Sequence, residues 1–243
     1  PSWLTTDAAQ ILDDPAIDVV VELVGGEAAF VWVERALRGG KGVVTANKLL
    51  IATRGRELLE LAARHGADLA FEGAVGGGIP IVRTLREAFA SDRLTAITGI
   101  LNGTSNYVLT RMLDDGLSMT AAVSEAQRLG YAEADPTMDV GGFDAAHKLG
   151  ILAMLGFGAV VPQDDLLIEG IADIEPVDHR FAHRFGYRIK PLAIGRDRGD
   201  RVELRVHPAL IPERSVLANV SGVLNAVLLE GRALGPSLVY GRG

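Results

Sequence analysis

A chain of 243 residues, 48% of them hydrophobic, holds enough apolar material for one large domain or two small ones. Its formal charge of −7, with no basic run, argues against nucleic acid or an anionic membrane as a partner. Without cysteine there are no disulfides, thiolate metal sites or thiol nucleophiles, which fits a reducing cytoplasm.

In chain order, Ile17–Val24 (I-D-V-V-V-E-L-V) is a β-branched run of the kind buried in parallel sheets. Residues 27–38 then form a helix stopped by Gly39-Gly40. A short strand follows over 42–46, a long amphipathic helix over 49–65 ends at Gly66, and 68–71 begins a third strand. Alternating strands and helices imply right-handed βαβ crossovers and a doubly wound sheet.

From about Gly73 the rhythm changes. A glycine-rich turn, 73–80, leads into a helix over 81–90, and an apolar strand over 94–101 ends in N-G-T-S-N. Two helices are expected over 107–115 and 120–129, with Ser118 capping the second. A core helix over 144–157 follows an acidic loop. The most apolar stretch, 149–161, is too short to span a bilayer. The remainder reads as strands separated by charged turns, with a hairpin formed by 188–195 and 201–206. Helices followed by an antiparallel hairpin suggest a second, α+β layer.

The acidic run from Gly130 to Lys148 is the strongest candidate site. It gathers Glu133, Asp135, Asp139 and Asp144 in a segment broken by glycine and proline, then places Asp144 and Lys148 four residues apart on one helical face. An exposed pair of this spacing would add only a few tenths of a kcal/mol. However, Leu149, Ile151, Leu152, Met154 and Leu155 make the helix apolar nearly all round, so its start is expected to be partly buried.

Two other loops lie at strand ends, where parallel sheets bind ligands. Gly25-Gly26 suits either a tight turn or close approach of backbone to a ligand, and Lys48 suits either solvent or a bound anion or carbonyl. Glu72 with the loop after it could cap backbone amides or cradle a hard cation among oxygens. No G-x-G-x-x-G fingerprint occurs, and the five histidines lack metal-ligand spacing.

Five segments taken together resemble the homoserine dehydrogenase family: E-L-V-G-G (22–26), V-V-T-A-N-K (43–48), E-G-A-V-G-G-G-I-P (72–80), L-N-G-T-S-N-Y (101–107) and G-Y-A-E-A-D-P…D-V-G-G-F-D-A-A-H-K (130–148). The family reduces aspartate 4-semialdehyde to homoserine with NAD or NADP as cofactor, on the route to threonine and methionine. A rival handling the same aldehyde, aspartate-semialdehyde dehydrogenase, needs a cysteine nucleophile, and this chain has none.

The resemblance implies an α/β fold. A partial doubly wound, Rossmann-type nucleotide domain would occupy 1–73, and a substrate-binding and dimerisation domain with a mixed sheet 74–236. Residues 237–243 would begin a return to the nucleotide domain. It makes Lys148 the proton donor to the aldehyde and Lys48 a contact to nicotinamide and substrate. Glu133 and Asp144 would hold the substrate ammonium, with Asp139 and Thr104 beside them. Gly25, Gly26 and Gly130 would contact cofactor. Glu72 and the carbonyls of Val75, Gly77 and Ile79 would form a sodium site. A homodimer is implied, as is a glycine-rich opening of about two βαβ units, each of roughly 30 residues, ahead of Pro1. Lacking that opening, the chain could instead be a non-catalytic substrate-binding and dimerising fragment.

Overall fold

The computed structural model describes residues 4–243 and divides into two compact units, one running to Val75, the other Gly76–Gly243. Residues 1–3, where the expected nucleotide domain begins, lie outside the described residues.

The first unit runs α1 (Ala8–Leu12), β1 (Val19–Glu22), α2 (Phe30–Arg38), β2 (Gly42–Thr45), α3 (Lys48–His65) and β3 (Leu69–Ala70). The strands form an all-parallel sheet in the order β1-β2-β3. Val33, Ala36 and Leu37 of α2 and Leu50, Ile51 and Leu58 of α3 are buried, at about 1.5–3 kcal/mol for each large aliphatic side chain. Helix α3 stops at Gly66, whose left-handed backbone lets its N–H cap the last turn. The β-branched run of β1 is not buried as expected. Val19 and Val21 are 54% and 60% exposed, and Val44, in register with Val21 on the central strand, is 42% exposed, so among the described residues this face of the sheet is left largely uncovered. Composition reports a strand's fitness for burial; what covers it is set by its neighbours.

The second unit contains α4 (Ile81–Arg83, continued by a π turn over Thr84–Ala88), β4 (Leu94–Ile100), α5 (Gly103–Asp115), α6 (Met119–Arg128), α7 (Thr137–Val140) and α8 (Phe143–Phe157). It continues through β5 (Leu167–Ile168), α9 (Pro176–Arg184), β6 (Tyr187–Asp197), β7 (Val202–Pro212), β8 (Leu224–Gly231) and β9 (Gly235–Arg242). Its six-stranded sheet is mixed, in the order β5-β7-β6-β4-β8-β9, with only β5 and β7 parallel. Helix α8 packs on β4, β6 and β7, and α5 on β6 and β8. Successive residues of β6 face opposite ways. Ile189 joins a core with Val108, Leu109 and Met112, whereas Leu192 and Ile194 join another with Ile100, Leu217 and Val220.

Several elements differ from expectation. Helix α5 starts at Gly103, so N-G-T-S-N is its cap and first turn rather than a loop. The acidic loop contains the short helix α7, and α9 lies where strands and turns were read. Residues 237–243 lie almost wholly in β9, paired antiparallel with β8 from Leu224↔Arg242 to Gly231↔Gly235. Among the described residues, no helix is long and apolar enough to cross a membrane.

Candidate active site

At the carboxyl ends of β1 and β2 the first unit ties its loops into one polar network. Glu22 is buried; its Oε2 accepts from the Thr45 hydroxyl at 2.6 Å and its Oε1 from Gly25 N–H at 2.8 Å. Burial opposes its charge, but these donors prevail and hold the Glu22 carboxyl below the ordinary carboxylate range. Asn47 caps α3 through Leu50 N–H at 3.1 Å and donates Nδ2 to Gly26 O at 2.8 Å. Gly25 and Gly26 have φ of +80° and +74°, which side chains resist, and open space surrounds both. A ligand could therefore approach this backbone closely. Lys48, half-buried, opens α3 in the same unit. The spent carboxylate of Glu22 was not legible as the organiser of this loop.

The second unit carries the other candidate residues. Lys148 Nζ lies 2.7 Å from Asp144 Oδ2 and donates to Leu101 O at 2.8 Å. The side chains are 16% and 4% exposed, so this is a buried pair, not a surface one. Asn102 donates Nδ2 to Asp139 Oδ1 at 2.7 Å and to Asp144 Oδ2 at 2.9 Å. The structure thus brings Asp139, Asp144 and Lys148 together.

The first turn of α5 clamps the acidic segment at both ends. Thr104 donates its hydroxyl to Tyr131 O at 2.6 Å, and Ser105 its hydroxyl to Asp139 O at 2.9 Å. The Tyr107 and Tyr131 rings meet edge to face, 5.0 Å between centroids. Gly130, at φ +78°, turns the exposed backbone out of α6. Asp135 is local scaffolding: the Thr137 hydroxyl and N–H hold its carboxyl below the ordinary range. Glu133 is not drawn into the cluster. Its side chain is exposed on the loop after α6, and its backbone O accepts from Gln127 Nε2. His147, buried one residue from Lys148, bonds Gln163 at 2.8 Å.

Glu72 is half-buried in a 3-10 turn, Glu72–Ala74; Val75 and Ile79 are buried and Gly77 is exposed. The Ile79 carbonyl already accepts from Ile81 N–H at 2.8 Å. Among the described residues no group of three or more His, Cys, Asp or Glu side chains could hold a metal.

The chemistry available at Lys148 follows from counting. Asn102 draws the carboxylates of Asp139 and Asp144 to one place, and acceptors of this kind suit a cationic group on a ligand. An ammonium has three donor hydrogens, and Asp144 and Leu101 O take two. The third remains for an acceptor brought by a ligand. Asn102 and Ser105 were missed from sequence, although an asparagine just ahead of a helix start is a recognisable cap.

Two family profiles match the chain. The one described as homoserine dehydrogenase covers residues 80–243, and the one described as its NAD-binding domain covers 1–72. Homoserine dehydrogenase of Pseudomonas aeruginosa is 47% identical over 241 residues, 99% of this chain and 56% of that protein. The crystal structure of a homoserine dehydrogenase from Thiobacillus denitrificans superposes with a TM-score of 0.94 at 50% identity, over 98% of this chain and 56% of that one. A hyperthermophilic archaeal homoserine dehydrogenase in complex with NADPH gives a TM-score of 0.85 at 26% identity, over 99% of this chain and 70% of that one. The chain therefore spans little more than half the length of its two closer counterparts here.

Proposed function

The chain belongs to the homoserine dehydrogenase family, and from that premise we propose that it reduces L-aspartate 4-semialdehyde to L-homoserine with NAD(P)H, towards threonine and methionine. The observation that carries this reading is the bonding of Lys148: a buried ammonium with two hydrogens fixed and the third available to an aldehyde oxygen. Lys148 protonates that oxygen as it becomes the alcohol of homoserine. Asp144, supported by Asp139 and Thr104, holds the substrate's ammonium; Glu133 joins them from its exposed loop.

The glycine pair at the end of β1 fits a nucleotide, since its backbone is open and already held in shape by Glu22 and Asn47. Gly25, Gly26, Gly130 and Lys48 would hold the cofactor, either NAD or NADP, which when bound supplies the hydride. Sodium at Glu72 and the carbonyls of Val75, Gly77 and Ile79 rests on family resemblance and on the oxygen character of that donor set. Assembly as a homodimer through the second unit also belongs to this reading.

The test is direct. The full-length protein carrying this chain, mixed with aspartate semialdehyde, should oxidise NADPH or NADH and form homoserine. No oxidation of either nucleotide would refute the reading.

A further inference from the structure

We propose that Asn102 is a positioning residue that sets both the substrate-ammonium subsite and the aim of the Lys148 proton, an inference that rests on the function proposed above. Its amide is fully committed. Oδ1 accepts from Ser105 N–H at 2.7 Å, capping α5, and the two Nδ2 hydrogens go one to Asp139 and one to Asp144. The residue is buried, and a flipped amide would point its oxygen at two carboxylates, so a single orientation is held.

Three consequences follow. The two carboxylate oxygens can stand no farther apart than the two hydrogen bonds laid end to end, although like charges repel. Asn102 thus holds the Asp139 and Asp144 carboxylates together against their like charge. Asp144 Oδ2 is also the atom that pairs with Lys148, so Asn102 fixes the acceptor that orients the ammonium. The other acceptor of Lys148, Leu101 O, belongs to the neighbouring residue. Residues 101 and 102 together therefore fix both bonds that aim the third hydrogen.

The backbone here is itself pinned. A Cβ on Gly103 would lie 2.7 Å from Val223 O, so only glycine lets the helix start this close to the loop before β8. Asn225, with its amide turned to satisfy its neighbours, donates to Leu101 O at 3.1 Å and accepts from Gly103 N–H at 3.3 Å.

Two variants of the full-length enzyme separate this role from a merely structural one. Asn102→Ala should raise KM for aspartate semialdehyde by about tenfold or more, the equivalent of one charge-assisted hydrogen bond, and should also lower kcat. KM for NADPH should change less than about twofold. Asn102→Asp keeps the acceptor for Ser105 N–H but turns a third carboxylate on the other two. It should be less active than Asn102→Ala at neutral pH and recover as pH falls, when the introduced carboxyl takes up a proton and donates one of the lost bonds.

If Asn102 only capped α5, the order would invert. The Asp variant would match wild type, and the Ala variant would lose kcat with KM unchanged; either result overturns the proposal. A readout free of turnover keeps it distinct from the functional reading. With 15N-lysine labelling, the protected ammonium protons of Lys148 should give an NMR signal that Asn102→Ala abolishes. A signal untouched by the substitution overturns the proposal even if the enzyme proves inert towards the aldehyde.

Discussion

Replacing Asp144 by asparagine keeps the side chain's shape and its capacity to accept from Asn102, but removes one of two opposite charges buried at the start of α8. Lys148 would keep Leu101 O and a neutral amide oxygen as acceptors but lose the opposite charge that compensates its burial. Breaking a buried pair on one side costs about 3–5 kcal/mol. Since 16% of the Lys148 side chain stays accessible to water, the lower end, about 3 kcal/mol, is expected. Arg56 and Glu60 form a pair of the same i,i+4 spacing in α3, at 3.2 Å, with side chains 63% and 59% exposed. An exposed pair of that kind contributes only about 0.3–0.5 kcal/mol and is screened by salt. The assay is urea unfolding of Asp144→Asn and Glu60→Gln beside wild type, at low and high salt. Trp32 lies in α2, so its fluorescence follows the first unit while circular dichroism follows the whole chain. Asp144→Asn should weaken the second unit, with little salt dependence. Equal losses below about 1 kcal/mol for the two variants would refute the buried-pair argument.

Three further outcomes are expected. His179 is 2% exposed with both ring nitrogens unpartnered, and burial pushes its imidazole below the ordinary value. The folded chain then stays neutral where the unfolded chain binds a proton, so stability falls as pH drops below about 6.5, by at most about 1.4 kcal/mol per pH unit. His179→Leu should remove that slope, and an unchanged slope would contradict it. Lys190, 3% exposed and donating to Val220 O at 2.6 Å, has its ammonium pushed down to about 8, chiefly by burial. Between about pH 8 and 10.5 the unfolded chain keeps the proton that the folded chain has released. Stability relative to Lys190→Met should therefore rise over that window; a flat difference in urea midpoint would count against it. Asn47→Ala removes the cap of α3 and the bond to Gly26 O, and should lower the stability of the first unit by about 1–2 kcal/mol in tryptophan-monitored unfolding.

Much of the candidate site was legible because its chemistry is local in sequence. Asp144 and Lys148 lie one helical turn apart, and the apolar residues after them announce burial. Helices ending at Gly39 and Gly66 were legible for the same reason, since each stop is written in adjacent residues. What escaped depends on distant partners or on caps. Asn102 reaches Asp139 and Asp144 across some forty residues of chain, and no spacing reveals that. Its helix was placed four residues late because Gly, Thr, Ser and Asn are poor helix formers, and the cap outweighs them. Helix α9 carried a readable start, Glu175-Pro176 with Asp178 completing a capping box, hidden in a segment whose charges suggested turns. Strand β1 shows the opposite limit: its residues named it a strand, but its exposure depends on what covers that face of the sheet, which Val44 of the central strand shares.

The central claim is that Lys148 delivers the proton to the aldehyde oxygen. The most direct measurement is kcat for NADPH-dependent reduction of aspartate semialdehyde by the full-length enzyme and by Lys148→Ala, with KM for NADPH measured alongside. A general acid is worth about a hundredfold to ten-thousandfold. The variant should lose kcat on that scale while its KM for NADPH stays near that of wild type. A Lys148→Ala enzyme that keeps near-full kcat would contradict the account.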